Sequence, residues 1–348
     1  MNTPVWNSTV TGGTKAPKIW FPGPVGQKII DGGLADIIAI NTGPNAEIHG
    51  GEWRNFGTPG LASVPPIVHG IQLGDAAVLE DAWVHNCKVS GIWVNGVNVR
   101  VSLSRSSTNG RGGLEGGEDG AILEYCDIDG NNTAGNHPGG EGGAFKFLFC
   151  QGGHFHHNYV HGNLGFGAWW DTGNSDCLIE ENVCEDNQRS GLFYEASAGS
   201  VIRNNYIANN GADLVIGGNF PSPENCVQLR ISDANCTGAR GQVQFNLIDY
   251  TLSQTGTLGG LIVLWDHTGS VSRSVQNWDI HDNQFWLRGT TDRRVGGSDT
   301  APAAFPVWSS GNSFFDNEYR VASMSTSYWK WDTGTGAGVA KTYAEWQA

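Results

Sequence analysis

Short apolar runs, closed by glycine, asparagine or an acid, return along the middle of the chain at a nearly fixed interval. They read Gly167-Ala-Trp-Trp-Asp171, Cys177-Leu-Ile-Glu-Glu-Asn182 and Cys184-Glu-Asp-Asn187. The same phrases come back as Gly191-Leu-Phe-Tyr-Glu195, Ser200-Val-Ile-Arg-Asn-Asn205 and Ile207-Ala-Asn-Asn210. Gly167 and Gly191 are 24 residues apart, while Asn182 to Asn205 and Asn187 to Asn210 are each 23. A period in this range marks a solenoid, in which each repeat buries its apolar face only against its neighbours. The runs are too short for helices and carry no 3.6-residue periodicity, so the units are β-strands turned at Gly and Asn corners. The pattern predicts an all-β chain, a single right-handed parallel β-helix with coils of about 22–24 residues. Its hand follows the usual rule for parallel crossovers.

A corner asparagine can be followed as Asn86, Asn109, Asn131, Asn163, Asn187 and Asn210, in steps of 23, 22, 32, 24 and 23. Asparagine suits such corners because it accepts the left-handed backbone and stacks its amides in ladders. The single long step places an insertion at Ala134–Gly142. Residues 1–28, rich in Pro, Gly and Thr and without the repeat, predict an N-terminal cover or an irregular first coil, because a bare solenoid end exposes an unpaired strand edge. Coils are expected over 29–322, with long polar loops after Asn210 at Asp233–Arg240 and Arg288–Phe305. Residues 323–348 read as a cap holding Trp329, Trp331 and Trp346, in which Thr342-Tyr-Ala-Glu345 fits a helix capping box.

Alternation assigns the faces of the strands. Ala168, Trp170, Leu192 and Tyr194 share one face; Trp169, Asp171, Phe193 and Glu195 share the other. The second face is the outer one, since burying two unpaired carboxylates would cost several kcal/mol each. A 23-residue step brings Lys146 to the same face. Adjacent coils lie roughly 4.8 Å apart, so Asp171 and Glu195 would be side by side at the spacing of a retaining glycosidase pair. Trp169 and Phe193 would offer platforms for sugar rings. In a hydrolase, Glu195, after Phe-Tyr, is the expected general acid and Asp171 the nucleophile or base. Lys146 would then orient the substrate, or in a lyase take the C5 proton of a uronate. The plainer alternative is a surface ion pair of Lys146 with the two acids. His161 and the set Trp265, Asp266 and His267 are candidate groove residues, the latter without a matched partner on the next coil. His154, His156, His157 and His161 lie close together, as turn residues or as a metal site.

Charge narrows the partners. With 34 acidic against 20 basic residues the formal net charge is −14, which opposes nucleic acid and anionic membranes. A neutral glycan is the easier partner; an acidic polysaccharide would need Ca²⁺ as a bridge. No cofactor motif and no zinc spacing is present, so no metal ligands are assigned. Gly 51, about twice average usage, together with 10% aromatic residues fits tightly turned β-structure with a large core and excludes disorder. The seven cysteines are an odd number; Cys226 and Cys236 could close a loop, the rest reading as buried thiols. No apolar run is long enough to span a membrane, and no signal peptide is visible at Met1.

The run Glu141-Gly-Gly…Lys146, His161-Gly-Asn…Gly-Ala-Trp169-Trp-Asp171, Ile179-Glu-Glu-Asn182 and Gly191-Leu-Phe-Tyr-Glu195-Ala-Ser resembles bacterial and phage right-handed parallel β-helix repeat proteins. The Trp331…Tyr-Ala-Glu-Trp346-Gln ending is similar to the same group's C-terminus. The resemblance spans Asp31 to the end. It implies the fold of pectate lyases, polygalacturonases, alginate epimerases and viral tailspikes, and by analogy a polysaccharide or cell-surface glycan as partner. It also implies an extracellular or virion-associated place and a monomer or homotrimer. Neither the Asn-Thr-Asp and Asp-Asp pattern of polygalacturonases nor a pectate-lyase Arg/Ca²⁺ motif is present. Two functions follow: a glycoside hydrolase or polysaccharide lyase working in an outer groove, or a non-catalytic glycan-binding or tail adhesin module.

Overall fold

The computed structural model describes residues 9–10, 18–20, 28–34, 38–57, 69–137, 142–211, 227–232, 234, 236, 240–250, 260–266, 275–288, 295–300, 311–325, 329–331 and 339–347. The described chain is short strands with one five-residue helix, Tyr343–Gln347. It divides into two compact units, Met1–Ala168 and Trp169–Ala348. No helix of the described residues is long and apolar enough to cross a membrane.

In the first unit each coil gives one strand in turn to three parallel sheets. The first sheet holds Thr9–Val10, Ile40–Thr42, Ile71–Leu73, Ser90–Val94, Gly112–Gly116 and Gly143–Phe147. The second holds Lys18–Trp20, Glu47–His49, Val78–Glu80, Arg100–Ser102, Ile122–Glu124 and His154–His156. The third holds Ile29–Asp31, Glu52–Arg54, Trp83–His85, Arg105–Ser107, Asp127–Asp129 and Tyr159–His161. Thr9–Val10 and Lys18–Trp20, in the segment expected as a cover or an irregular first coil, are strands of the first and second sheets. Register brings identical kinds of residue into columns: Ile48, Leu79, Val101, Leu123 and Phe155 stack along the second sheet and are buried. Each such side chain contributes about 1.5–3 kcal/mol by leaving water.

The second unit repeats the plan. Its first sheet runs through Leu192–Glu195, Val227–Ser232, Gly260–Asp266, Gly296–Thr300 and Trp329–Trp331, closed by an antiparallel strand, Val339–Lys341. Leu178–Glu180, Val201–Arg203, Gly241–Gln244, Trp278–His281 and Ser313–Phe315 form the second. Val183–Glu185, Tyr206–Ala208, Leu247–Tyr250, Gln284–Leu287 and Glu318–Arg320 form the third. The capping box is formed: the Thr342 N–H donates to Glu345 Oε2 at 2.8 Å and the Glu345 N–H to Thr342 Oγ1 at 3.4 Å. The helix sets Trp346 edge-on to Phe314 and Tyr343 against Tyr319 and Trp329.

The corners are amide ladders. In the first unit the Asn109 N–H and Nδ2 donate to Asn131 Oδ1, and those of Asn131 to Asn163 Oδ1, at 2.9–3.0 Å. Asn187 stands likewise on Asn210 in the second unit. Asn86 is not a rung: it is exposed at φ 55°, and the ladder position of its coil is Cys87, whose N–H donates to Asn109 Oδ1. A second ladder joins Asn182, Asn205, Asn246, Asn283 and Asn317. Within the strand Gly112–Gly116 the ladder needs a glycine, because a Cβ on Gly113 would come 2.5 Å from Ile128 Cγ2 and 2.7 Å from Asn131 Nδ2. The six described cysteines, Cys236 included, are buried thiols; Cys226 lies outside the described residues.

Candidate functional site

Alternation sorts the strand Leu192–Glu195 as expected. Leu192 and Tyr194 point inward and are fully buried, the Tyr194 hydroxyl donating to the Ala198 carbonyl at 2.6 Å and meeting Ser200 Oγ at 2.7 Å. Burial holds that phenol well above its ordinary pKa, so it acts as a neutral structural donor. Phe193 and Glu195 point outward, beside Trp169 and Asp171 on the preceding coil. The Ser197 hydroxyl contacts both the Asp171 carbonyl, at 2.5 Å, and the Glu195 carbonyl, at 2.7 Å. One side chain therefore ties the ends of the two acid-bearing strands together. Glu195 Oε2 accepts a 3.0 Å hydrogen bond from the Trp169 indole, and Asp171 Oδ1 accepts from the Thr172 N–H and hydroxyl at 2.7 and 3.0 Å. Both acids are half-buried.

The aromatic residues at this site do not form open platforms. Trp169 and Phe193 stack on each other, with centroids 5.4 Å apart and planes 15° from parallel, and the Arg230 guanidinium lies 4.3 Å over the Phe193 ring. Their exposures are only 3%, 2% and 7%, so the stack is closed and its faces are already used. Arg230 is in register with Phe193. Nothing in the spacing pointed to it, because the step of 37 residues breaks the repeat phase. Trp265 does have a matched position: Glu195, Ser232, Trp265 and Asp299 are successive register partners. Asp266 follows it on the same strand, and His267 lies outside the described residues.

Lys146 sits in the first unit, on the outer face of Gly143–Phe147. Trp93, Glu115 and Lys146 are successive register partners there. They line a cleft of about 150 Å³ together with Arg111. Glu115 is 4% exposed although it points outward. It is held by Arg111, whose Nε and Nη2 donate at 2.9 and 2.5 Å, and by the Ser90 hydroxyl at 2.5 Å. His69 stacks on Trp93 with centroids 4.4 Å apart. Burial, with the nearby Arg111 charge, lowers its pKa to about 3, so it is a neutral ring. This second cluster was legible in principle, since Trp93, Glu115 and Lys146 follow the coil repeat.

His161 belongs to the third sheet, where its Nε2 lies 3.0 Å from Asp127 Oδ1. Asp127, Asp129 and His161 are the one group among the described residues that could hold a metal ion. Arg105 already takes both Asp129 oxygens at 2.9 and 2.8 Å, and two carboxylates fall short of the six to eight oxygens that Ca²⁺ takes. The donor set does not fit Ca²⁺. His154 and His156 stand side by side on the second sheet, 4.0 Å between centroids, with His156 Nε2 3.2 Å from Glu124.

A family model described as "Right handed beta helix region" matches residues 69–228. Among solved structures, the mannuronan C-5 epimerase AlgE4 A-module of Azotobacter vinelandii is similar at 14% identity and TM-score 0.61, over 85% of this chain and 78% of that one. The AlgE6 A-module of the same organism is similar at 15% identity and TM-score 0.54, over 86% and 78%. XylC in complex with xylose gives 14% identity and TM-score 0.50, over 83% of this chain and 55% of that one. No curated protein matches the sequence. Period, parallel register, amide ladders and these likenesses agree on the fold: the chain folds as a right-handed parallel β-helix.

Proposed function

We propose that this β-helix protein acts on a polysaccharide, hydrolysing it at Asp171 and Glu195 on the outer face of the first sheet of the second unit. The observation that carries this is the Ser197 hydroxyl contacting both the Asp171 and Glu195 carbonyls, which sets the two acids at the same end of neighbouring coils. Neighbouring coils are roughly 4.8 Å apart, close to the 5–5.5 Å or so of a retaining pair. Asp171, an acceptor toward Thr172, takes the part of nucleophile or base. Glu195, positioned by the Trp169 indole, takes the part of general acid. The sugar-acting proteins named in the structural likenesses, an epimerase of mannuronan and a xylose-bound protein, support the substrate class. An extracellular or virion-associated place follows from such a substrate. A lyase would instead rest on Lys146 as base. The closed Trp169–Phe193–Arg230 stack offers no open ring to a sugar at the acid pair, so in a second reading, a glycan-binding or adhesin module without turnover, the sugar is held on another surface.

Incubation with neutral and acidic polysaccharides, read for new reducing ends and for absorbance of unsaturated products, separates the three. Hydrolysis gives reducing ends without absorbance, and Asp171→Asn and Glu195→Gln each lower it by orders of magnitude with Tm nearly unchanged. Full activity in either variant refutes the assignment; binding without products establishes the second reading.

A further inference from the structure

The first unit carries another concave surface, at the ridge where the second sheet turns into the third. The turn residue there is Asp81, Leu103, Tyr125 and His157 in successive coils, at φ 54°, 51°, 54° and 55°. Aspartate accepts the left-handed region with little penalty; leucine and tyrosine do not. Leu103 and Tyr125 are nevertheless 57% and 51% exposed. About half of each side chain is covered, Tyr125 packing on His156 and His157, and the other half is left in solvent in a backbone conformation that disfavours it. Between this ridge and the third sheet lies a hollow of about 270 Å³ lined by Trp83, Leu103, Ser104, Arg105, Tyr125 and Asp127.

The hollow is held in place by its own contacts. The Trp83 indole donates to Ser107 Oγ at 2.9 Å, and Tyr125 stacks on His157 with centroids 4.7 Å apart. Arg105 chelates Asp129, lies 5.5 Å from the Trp83 ring centroid and is 3.6 Å from Asp127, which in turn meets His161. Trp83 is itself stacked on His85, with centroids 4.2 Å apart, so the open apolar side is made by Leu103 and Tyr125, and the fixed guanidinium and carboxylate offer a paired donor and acceptor at the other.

We propose that this hollow is a second glycan site, taking a neutral sugar residue, with the ring C–H face on Leu103 and Tyr125, the Trp83 edge as a wall, and adjacent hydroxyls on Arg105 and Asp127. Neutrality is required by charge: two carboxylates against one guanidinium repel a carboxylated or sulfated sugar.

The test uses the full-length protein and short neutral oligosaccharides (xylo-, manno-, gluco- and galacto-series) beside uronic-acid oligomers, with affinity measured by calorimetry. At least one neutral series binds. Tyr125→Asn weakens that affinity tenfold or more while raising Tm, since asparagine suits the left-handed turn better than tyrosine. Trp83→Phe weakens it less, and Asp171→Asn leaves it in place. The proposal is overturned if no neutral series binds, if only uronic-acid oligomers do, or if Tyr125→Asn binds like the parent. Saturable Mn²⁺ or Zn²⁺ binding that His161→Ala removes, with no sugar bound, overturns it as well.

Discussion

Truncating one rung of the buried ladder measures how much of the fold the amides hold. Asn131 is fully buried and makes four side-chain hydrogen bonds: Oδ1 accepts from the Asn109 N–H and Nδ2 at 3.0 Å, and Nδ2 donates to the Ser106 carbonyl and to Asn163 Oδ1 at 3.0 and 2.9 Å. Asn131→Ala leaves the Asn109 N–H and the Ser106 carbonyl without these partners in a place water does not reach. Each such orphan costs about 1–3 kcal/mol, so with two of them the variant is expected to lose about 2–6 kcal/mol. Asn131→Asp keeps the acceptor but brings a charge and no donor, and should cost at least as much. Asn86, written in the same sequence phrase, is exposed and only accepts from the Thr108 hydroxyl at 2.8 Å. Asn86→Ala should therefore cost about 1 kcal/mol, the penalty of a left-handed alanine. Urea unfolding followed by tryptophan fluorescence reads both, and hydrogen exchange at the Asn109 amide locates the damage. An Asn131→Ala loss under about 1 kcal/mol, or equal losses for the two, would refute the ladder as a structural support.

Two further outcomes are expected. An unfolded imidazole takes its proton below 6.5, whereas His69 does not until about 3, so its contribution is complete above 6.5 and is lost as pH falls between those values. It should cost about 3 kcal/mol between pH 7 and 4. His69→Phe keeps the stacking on Trp93 and should flatten that slope; an unchanged slope rules the histidine out. Burial pushes the Cys87, Cys126 and Cys184 thiols up to about 12, so a thiol reagent at pH 8 should leave them unlabelled in the native protein and label them in denaturant.

The fold was legible because two periods coincide in the middle of the chain. Alternation separates Leu192 and Tyr194 from Phe193 and Glu195, and the coil repeat of 23 aligns Asn182 with Asn205 and Asn187 with Asn210. Both follow from backbone geometry, which the sequence must satisfy at every coil. Asn86 misled for the same reason: asparagine suits the left-handed turn one residue before the ladder as well as the ladder itself. Only the burial of Cys87 tells the two positions apart. Beyond Asn205 the ladder steps lengthen to 41, 37 and 34 residues, and loops of changing length erase the phase on which such alignment depends.

The candidate site was less legible because it lies on the outer face, where no packing rule constrains the residue type. Spacing placed Asp171 and Glu195 on neighbouring coils, and it could place Trp93, Glu115 and Lys146 in one row. It could not say that Trp169 and Phe193 close on each other, since ring stacking depends on rotamers and on Arg230 arriving from 37 residues away. Nor does alternation flag Leu103 and Tyr125, which lie at corners rather than on strands. Their signal is a conflict instead: bulky side chains in a backbone conformation that disfavours them, with half of each left in solvent. In a solenoid whose inward positions repeat the same solution coil after coil, the outward departures from that solution are where ligand contacts can be carried without cost to the core.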